Sequence, residues 1–321
     1  MSNKVSIIAP CYNGEEYIAR FLQSVLAQSH DSLQLVVVND GSKDSTEAIL
    51  CEYEAKFSDR GFEYIHLNQE NKGIGGALND ALKYVTGDYL TWFGTDDYMA
   101  PTYAEELATF LDEHTEYAVL RCDGYVVDKN DHSVILGKMA DGNHDKHRPD
   151  LFENAILERN FHFGYSMLRM SVFDQVNPKR EIYPSREGQN WQLLLPILYA
   201  HKAAFYETPL YYVIYDSDSV SRIAHKSYDR LKQQNEEYER ILTNVLTSMN
   251  IPDLEYYMNM VKIKYIRRRM KAAIDHNARD DVFREYKLLK AEKAVLFEDR
   301  QRYWRVKYPI LDKIVRKIRK R

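Results

Sequence analysis

The sequence predicts an α/β protein, a mainly parallel sheet flanked by helices and followed by a helical C-terminal region. Three observations carry this reading. β-Branched runs alternate with amphipathic stripes through the first hundred residues, polar or glycine-rich segments close four of those runs, and helical patterning continues beyond Ser227. Such alternation builds right-handed βαβ units whose helices cover a parallel sheet.

VSIIAP, residues 5–10, is the first strand. Ile18, Phe21, Leu22, Val25 and Leu26 then recur at helical spacing and stripe one face of a helix. LQLVVV (33–38) is the second strand, and Asp44-Ser-Thr-Glu47 reads as a capping box that opens the next helix. FEYIHL (62–67) is the third strand. Ala77, Leu78, Ala81, Leu82 and Val85 mark the helix after it, and YLTWF (89–93) is the fourth strand. From 117 to 215 the pattern loosens into strand-like YAVLRCDGYVVD and AAFYETPLYYVIY on either side of a polar loop at 141–150. Three helical segments follow Ser227, the first two separated by Pro252 and the third near 282–298. The expected organisation is therefore one domain over 1–220 and a helical region over 221–321.

With 45% hydrophobic and 29% charged residues, the composition is that of a soluble globular protein. No run approaches the roughly 18–20 apolar residues of a membrane span, and the N-terminus lacks a signal-peptide core. Cys11, Cys51 and Cys122 are odd in number and lack metal-like spacing, which fits a reducing cytoplasm. Net charge is −4, yet ten Lys/Arg against Asp312 give residues 300–321 a charge of +9, leaving −13 on the rest. An acidic body argues against nucleic acid; the basic tail points to an anionic membrane surface, with the protein otherwise cytoplasmic. Leu311, Ile314, Val315 and Ile318 form one apolar stripe in that tail, which either lies in an anionic leaflet or docks on the preceding helices.

Ligands of open α/β sheets bind outside the carboxyl ends of the strands. Those ends carry Cys11-Tyr12-Asn13-Gly14, Asn39-Asp40-Gly41-Ser42, Asn68 through Gly76, and Gly94-Thr95-Asp96-Asp97. One NDGS is ordinary turn chemistry; four such segments on one sheet edge are a site. Adjacent aspartates at a strand end suit a hard divalent cation, Mn2+ or Mg2+, that completes its shell with phosphate oxygens. Asp97 could equally cap the helix at PTYAEELATFL. His144-x-x-His147 lacks a third ligand and is read as solvent-facing.

In their order and spacing, PCYNGEEYI, VVVNDGSKDST, NKGIGGALNDAL and GDYLTWFGTDDYMAP resemble the family 2 inverting glycosyltransferases of the GT-A (Rossmann-like) fold. The resemblance spans roughly the first 220 residues. It implies that Pro10, Tyr12 and Asn13 lie against the base, that Asp40 accepts the pyrimidine N–H, and that Lys72, Gly73 and Thr95 border the nucleotide. Asp96 matches the metal-binding aspartate, Asp97 the acid that often follows it, and His225 a histidine that completes the metal shell in some relatives. Two departures stand out. Gly94 replaces the family's first carboxylate, and Gln189-Asn190 stand before Trp191 where the family's acidic pair carries the catalytic base. Glu187 is the nearest carboxylate that could serve as base, or it caps the helix; Trp191 either floors the acceptor sugar or packs in the core. The implied activity is metal-dependent transfer from a UDP-sugar to a glycan, glycolipid or glycoprotein acceptor in cell-surface polysaccharide or glycoconjugate synthesis, with self-association into a homo-oligomer a further expectation. A catalytically impaired partner subunit is the alternative that Gln189 and Asn190 motivate. A nucleotidyltransferase would need a basic loop after the first strand, which PCYNGEEY lacks.

Overall fold

The computed structural model describes residues 3–159, 163–216 and 227–309. The chain divides into two compact units, Met1–Asp216 and Ser217–Arg321.

In the first unit, β1 (Val5–Cys11), β2 (Leu33–Asn39), β3 (Glu63–Asn68) and β4 (Tyr89–Trp92) form a parallel half-sheet in the order β3-β2-β1-β4. All seven residues of β2 are buried, as a parallel strand covered on both faces requires. The covering helices are α1 (Ile18–Leu26), α2 (Thr46–Arg60) and α3 (Gly73–Leu82). Ile18, Phe21, Leu22 and Val25, the stripe legible in the sequence, are buried under α1. The capping box does not form. Asp44 accepts from the backbone N–H of Thr46 at 3.1 Å, and Glu47 turns away to accept amide hydrogens from Asn39 (3.1 Å) and Asn68 (2.5 Å). Two polar strand ends within reach outcompete a single backbone N–H for that carboxylate.

Past β4 the sheet becomes mixed, and here it is less parallel than the sequence implied. The added elements are β5 (Tyr98–Met99), α4 (Tyr103–Glu113), β6 (Tyr117–Asp128), β7 (Ile135–Lys138), α5 (Phe152–Leu157), β8 (Ser166–Arg169), α6 (Met170–Val176), α7 (Gln189–Ala200) and β9 (Lys202–Tyr215). β8 is inserted antiparallel between β4 and β6, β9 runs parallel to β6, and β5 closes the edge antiparallel to β9. β7 pairs with β6 off this path.

One loop contact matters for everything that follows. Gly75, inside α3, donates its N–H to the Ser185 carbonyl at 2.9 Å, and Asn79 exchanges hydrogen bonds with the Ile182 backbone at 2.7 and 2.8 Å. Helix α3 thereby holds segment 182–185, and α7 begins four residues later.

The second unit contains α8 (Tyr228–Ser248), α9 (Leu254–Asp275), α10 (Arg279–Ala291) and α11 (Phe297–Lys307). Ile266, Met270, Ala273, Val282 and Leu289 form its core. Arg269 bridges Glu239 and Glu285 across three of these helices. Among the described residues, no helix is long and apolar enough to cross a membrane. The apolar tail stripe at 311–318 lies outside them.

Gly75→Ala separates two opposed effects. Alanine favours a helix interior by about 0.5–1 kcal/mol, but a Cβ here would lie 2.7 Å from the Ser185 nitrogen and 2.8 Å from its carbonyl oxygen. Overpacking of this kind costs about 1–3 kcal/mol, so the variant is expected to be less stable in urea unfolding. Equal or greater stability would show that the loop can yield.

Candidate active site

The first two strand-end loops are stapled to one another. The Asn13 N–H donates to Ser42 Oγ at 2.9 Å, the Lys43 N–H donates to Asn13 Oδ1 at 2.9 Å, and the Gly14 N–H reaches Thr46 Oγ1 at 2.7 Å. Asn13 takes a positive φ of 49°, a conformation asparagine tolerates. These ties leave Tyr12 standing out, 49% exposed at the rim. Its ring is presented as a stacking surface, while Asn13 is used up in holding the loop.

Asp40 is buried and serves the protein first. Its Oδ1 accepts from the Lys72 N–H (2.8 Å) and the Gln69 amide (2.6 Å), and its Oδ2 accepts from the Gly73 N–H (2.8 Å). It therefore caps the start of α3, where unpaired N–H groups and the helix dipole favour a carboxylate. A carboxylate accepts about four hydrogen bonds, so one acceptor direction is left after these three. The Lys72 ammonium is paired with Asp80 at 2.7 Å. Gly73 has φ +77°, and a Cβ there would meet Arg186 at 2.9 Å.

At the end of β4 the four residues separate by role. Thr95 is buried and hydrogen-bonded to the Cys11 sulfur, so its side chain points into the fold rather than to a nucleotide. Burial pushes the Cys11 thiol up to about 11. Asp97 is also buried, and it does not cap α4, whose N-cap is Thr102. Its Oδ2 accepts from the Tyr165 hydroxyl at 2.6 Å and its Oδ1 from the Ile214 N–H at 3.0 Å. The same Tyr165 oxygen accepts from the Gly94 N–H at 3.2 Å. Asp97 is thus an internal tie between the end of β4, the approach to β8 and β9. Asp96 alone is exposed, with its carboxyl on a cleft of about 550 Å³. Its carbonyl accepts from Arg20 Nη2 at 2.6 Å, which sets a guanidinium beside the acidic pair. A Cβ at Gly94 would lie 2.6 Å from Asp96 Oδ1, so glycine keeps that carboxylate in place.

The cleft is walled by Pro10, Trp92, Phe93, Tyr165, Gln189 and Asn190, among others. Asn190 Oδ1 accepts the Trp92 indole N–H at 2.7 Å, fixing the first turn of α7 on the cleft wall. Three expectations are corrected here. Trp191 is buried with its N–H on the Ala155 carbonyl at 3.0 Å and its ring edge-on to Phe163, so it is core and no sugar floor. The cleft lining includes Gln189 and Asn190 but not Glu187, because Gly188, at φ 71°, turns the chain before α7 begins. Asp97 lines the cleft too, but it is buried and both its oxygens are engaged by Tyr165 and the Ile214 N–H. His225 lies outside the described residues, and His147 pairs with Glu207 at 2.6 Å.

Three residues that sequence reasoning passed over belong to the site. Tyr165 organises Gly94 and Asp97; Arg20 supports Asp96; Glu158 lines the cleft from the end of α5, at a positive φ of 52°. Glu158 carried one weak signal, as a carboxylate on a polar stretch (LERN) after an apolar helix. Arg20 and Tyr165 carried none, since their partners are 76 and 68 residues away.

The profile of glycosyl transferase family 2 matches residues 6–176, just over half of the chain. The chain belongs to this family. An uncharacterized glycosyltransferase of Rickettsia prowazekii (strain Madrid E) is 34% identical over 172 residues, 53% of this chain and 51% of that protein. The chain thus spans about half the length of such curated relatives. In fold it is similar to residues 1–349 of Staphylococcus aureus TarS in complex with UDP-GlcNAc (TM-score 0.55, 18% identity, 90% of this chain and 91% of that one). It is also similar to the Pyrobaculum calidifontis mannosyltransferase PcManGT in complex with GDP-Man and Mn2+ (TM-score 0.52, 16% identity, 98% and 87%). The architecture of this member of the family, a mixed sheet with flanking helices and a helical C-terminal region, is that of the GT-A fold.

The residues present fit a divalent cation. Asp96 offers one open hard oxygen donor beside a second, buried carboxylate, and Mg2+-type sites commonly take one or two carboxylates plus phosphate and water. The pair is electrostatically uncomfortable alone. Burial, then the charge of Asp96, pushes the Asp97 carboxyl up to about 7, and the surrounding walls raise Asp96 as well, against the opposing pull of Arg20.

That shift has a stability consequence. The folded protein holds the Asp97 proton to about pH 7, whereas an ordinary aspartate releases it near 3.8. The fold binds more protons than the unfolded chain in this window, so metal-free stability should be complete below it and decline as pH rises through it. Asp97→Asn is expected to flatten the slope of Tm against pH between about 4.5 and about 7.5. An unchanged slope would mean that Asp97 ionises normally.

Proposed function

We propose that this glycosyltransferase is inverting and metal-dependent, and that it moves a sugar from a UDP-sugar to a glycan, glycolipid or glycoprotein acceptor in cell-surface polysaccharide or glycoconjugate synthesis. The observation that carries the proposal is Asp96, the exposed member of a strand-end carboxylate pair that lines the cleft, next to the loops bearing Tyr12 and Asp40. Tyr12 offers its ring to the base, and the remaining acceptor direction of Asp40 suits a pyrimidine N–H. The solved relatives carry UDP-GlcNAc in one case and GDP-Man in the other, so the choice of UDP rests on these two residues.

In this reading Asp96 holds Mn2+ or Mg2+, which supplies charge neutralisation to the departing diphosphate. Arg20 keeps the Asp96 backbone in place, and Gly94 leaves the approach clear. A carboxylate takes the proton of the acceptor hydroxyl, the oxygen attacks C1 from the face opposite the diphosphate, and the C1–O bond to UDP breaks with inversion. Glu158 is the base we assign, since Asp96 and Asp97 are otherwise engaged and Glu187 is absent from the cleft lining. The amides of Gln189 and Asn190 cannot accept that proton; they favour the second reading, a catalytically impaired nucleotide-sugar-binding subunit.

Release of UDP from a panel of UDP-sugars, with and without Mn2+, tests both readings. Asp96→Asn is expected to abolish the metal-dependent part. Glu158→Gln should leave donor affinity nearly intact and lower turnover about 10²-fold or more, with Glu187→Gln close to wild type. The reverse ranking would return the base to Glu187. No UDP release with any donor or acceptor, despite donor binding, would favour the impaired subunit.

The basic tail beyond Arg300 is proposed to hold the protein at the inner face of an anionic membrane, each nearby cation contributing about 1 kcal/mol. The 321-residue chain should co-sediment with anionic liposomes at low salt, and a chain ending near Tyr308 should not. Equal recovery in the supernatant would refute this placement.

A further inference from the structure

On the face of the sheet edge formed by α2 and β3, three ligand-type side chains converge. Glu47 and Cys51 stand one turn apart on α2, and His66 projects from the neighbouring strand β3. Cys51 Sγ lies 3.7 Å from Glu47 Oε1 and 4.0 Å from His66 Nε2, and that nitrogen lies 3.3 Å from the same Glu47 oxygen. Zinc bonds sulfur at about 2.3 Å and nitrogen or oxygen at about 2.0–2.1 Å, so tetrahedral angles place S···O and S···N about 3.6 Å and N···O about 3.3 Å apart. The triangle is already within a few tenths of an ångström of that arrangement.

The surroundings set the same polarity. His66 Nδ1 faces Glu54 Oε1 at 3.2 Å, so that carboxylate can hold the Nδ1 proton when Nε2, which lies against Glu47 in the metal-free protein, turns its lone pair to a metal. Glu47 is held by amide hydrogens from Asn39 and Asn68. Among the described residues this is the one group of three such side chains close enough to share an ion. Cys51 is exposed, whereas Cys11 and Cys122 are buried, so only one thiol is available to a metal from solution.

We propose that Glu47, Cys51 and His66 form a binding site for a zinc-type divalent transition metal, separate from the cation at Asp96, with Glu54 orienting His66. Binding displaces the Cys51 thiol proton to solvent, and the thiolate, the imidazole and the carboxylate supply three ligands with water as the fourth. Asn39 links the site to the nucleotide loop, since it bonds Glu47 with its amide and accepts the Ser42 N–H at 3.1 Å. The metal therefore braces the turn that carries Asp40.

Reduced, chelator-treated full chain bearing Asp96→Asn is titrated with Co2+, then with Zn2+. A thiolate-to-cobalt charge-transfer band saturating at one ion per chain, and bleached by Zn2+, is expected. Cys51→Ser should lose the band, and Glu54→Gln should weaken Co2+ affinity about tenfold or more. His66→Asn, judged folded by circular dichroism, should match Cys51→Ser. Absence of the band, or its persistence in Cys51→Ser, would overturn the proposal.

Discussion

The Asp97 carboxylate accepts the Tyr165 hydroxyl on one side and the Ile214 N–H on the other, inside a region where an aspartate is costly to bury. Through these bonds the parallel half-sheet is joined to the mixed extension. Tyr165 also receives the Gly94 N–H and stacks on Phe93 with ring centroids 3.8 Å apart. Removing one partner would leave a buried charge or donor unmet, a penalty of about 1–3 kcal/mol for a neutral group and more for a charged one. The strand-end turn is thus held firmly, and Asp96 is presented to the cleft beside a neighbour whose own oxygens are tied to Tyr165 and Ile214.

The same division of labour recurs around the cleft. Asn13 and Asp40 are engaged with the backbone of adjoining loops, while Tyr12 is left accessible. Asn190 anchors Trp92, and Gln189 shares the wall. Polar residues at the sheet edge do two jobs, and the first is to satisfy the N–H groups of irregular backbone that water cannot reach. Ligand recognition falls to what is left over. This is why the residues of a motif do not all face the ligand, even where the motif is intact.

Helix α3 connects these parts. Asp40 caps its start, Gly75 and Asn79 seat segment 182–185 on its flank, and α7 then brings Asn190 to Trp92. Small residues are needed wherever backbone approaches backbone this closely. The glycines of GIGGAL serve packing against Ser185 and Arg186 as well as any phosphate contact. The Asp40 loop and the wall of the cleft are therefore mechanically one structure.

The order of strands and helices over the first hundred residues was legible in the sequence, because period-2 and period-3.6 burial impose their patterns locally. So was the gathering of Tyr12, Asp40 and Asp96 on one edge, since parallel strands joined by helices must all end on the same side. What could not be read was the direction of β8, the inward turn of Asp97, and the burial of Trp191 under Ala155. Each is decided by a partner tens of residues away, through a hydrogen bond that no local pattern encodes. Glu47 shows the limit most plainly. Local sequence reads it as half of a capping box, and only the packing of α2 on β3 sets it beside Cys51 and His66. Chain periodicity determines which elements form; competition among distant polar partners, settled only once the elements pack, decides which side chains are left free to act.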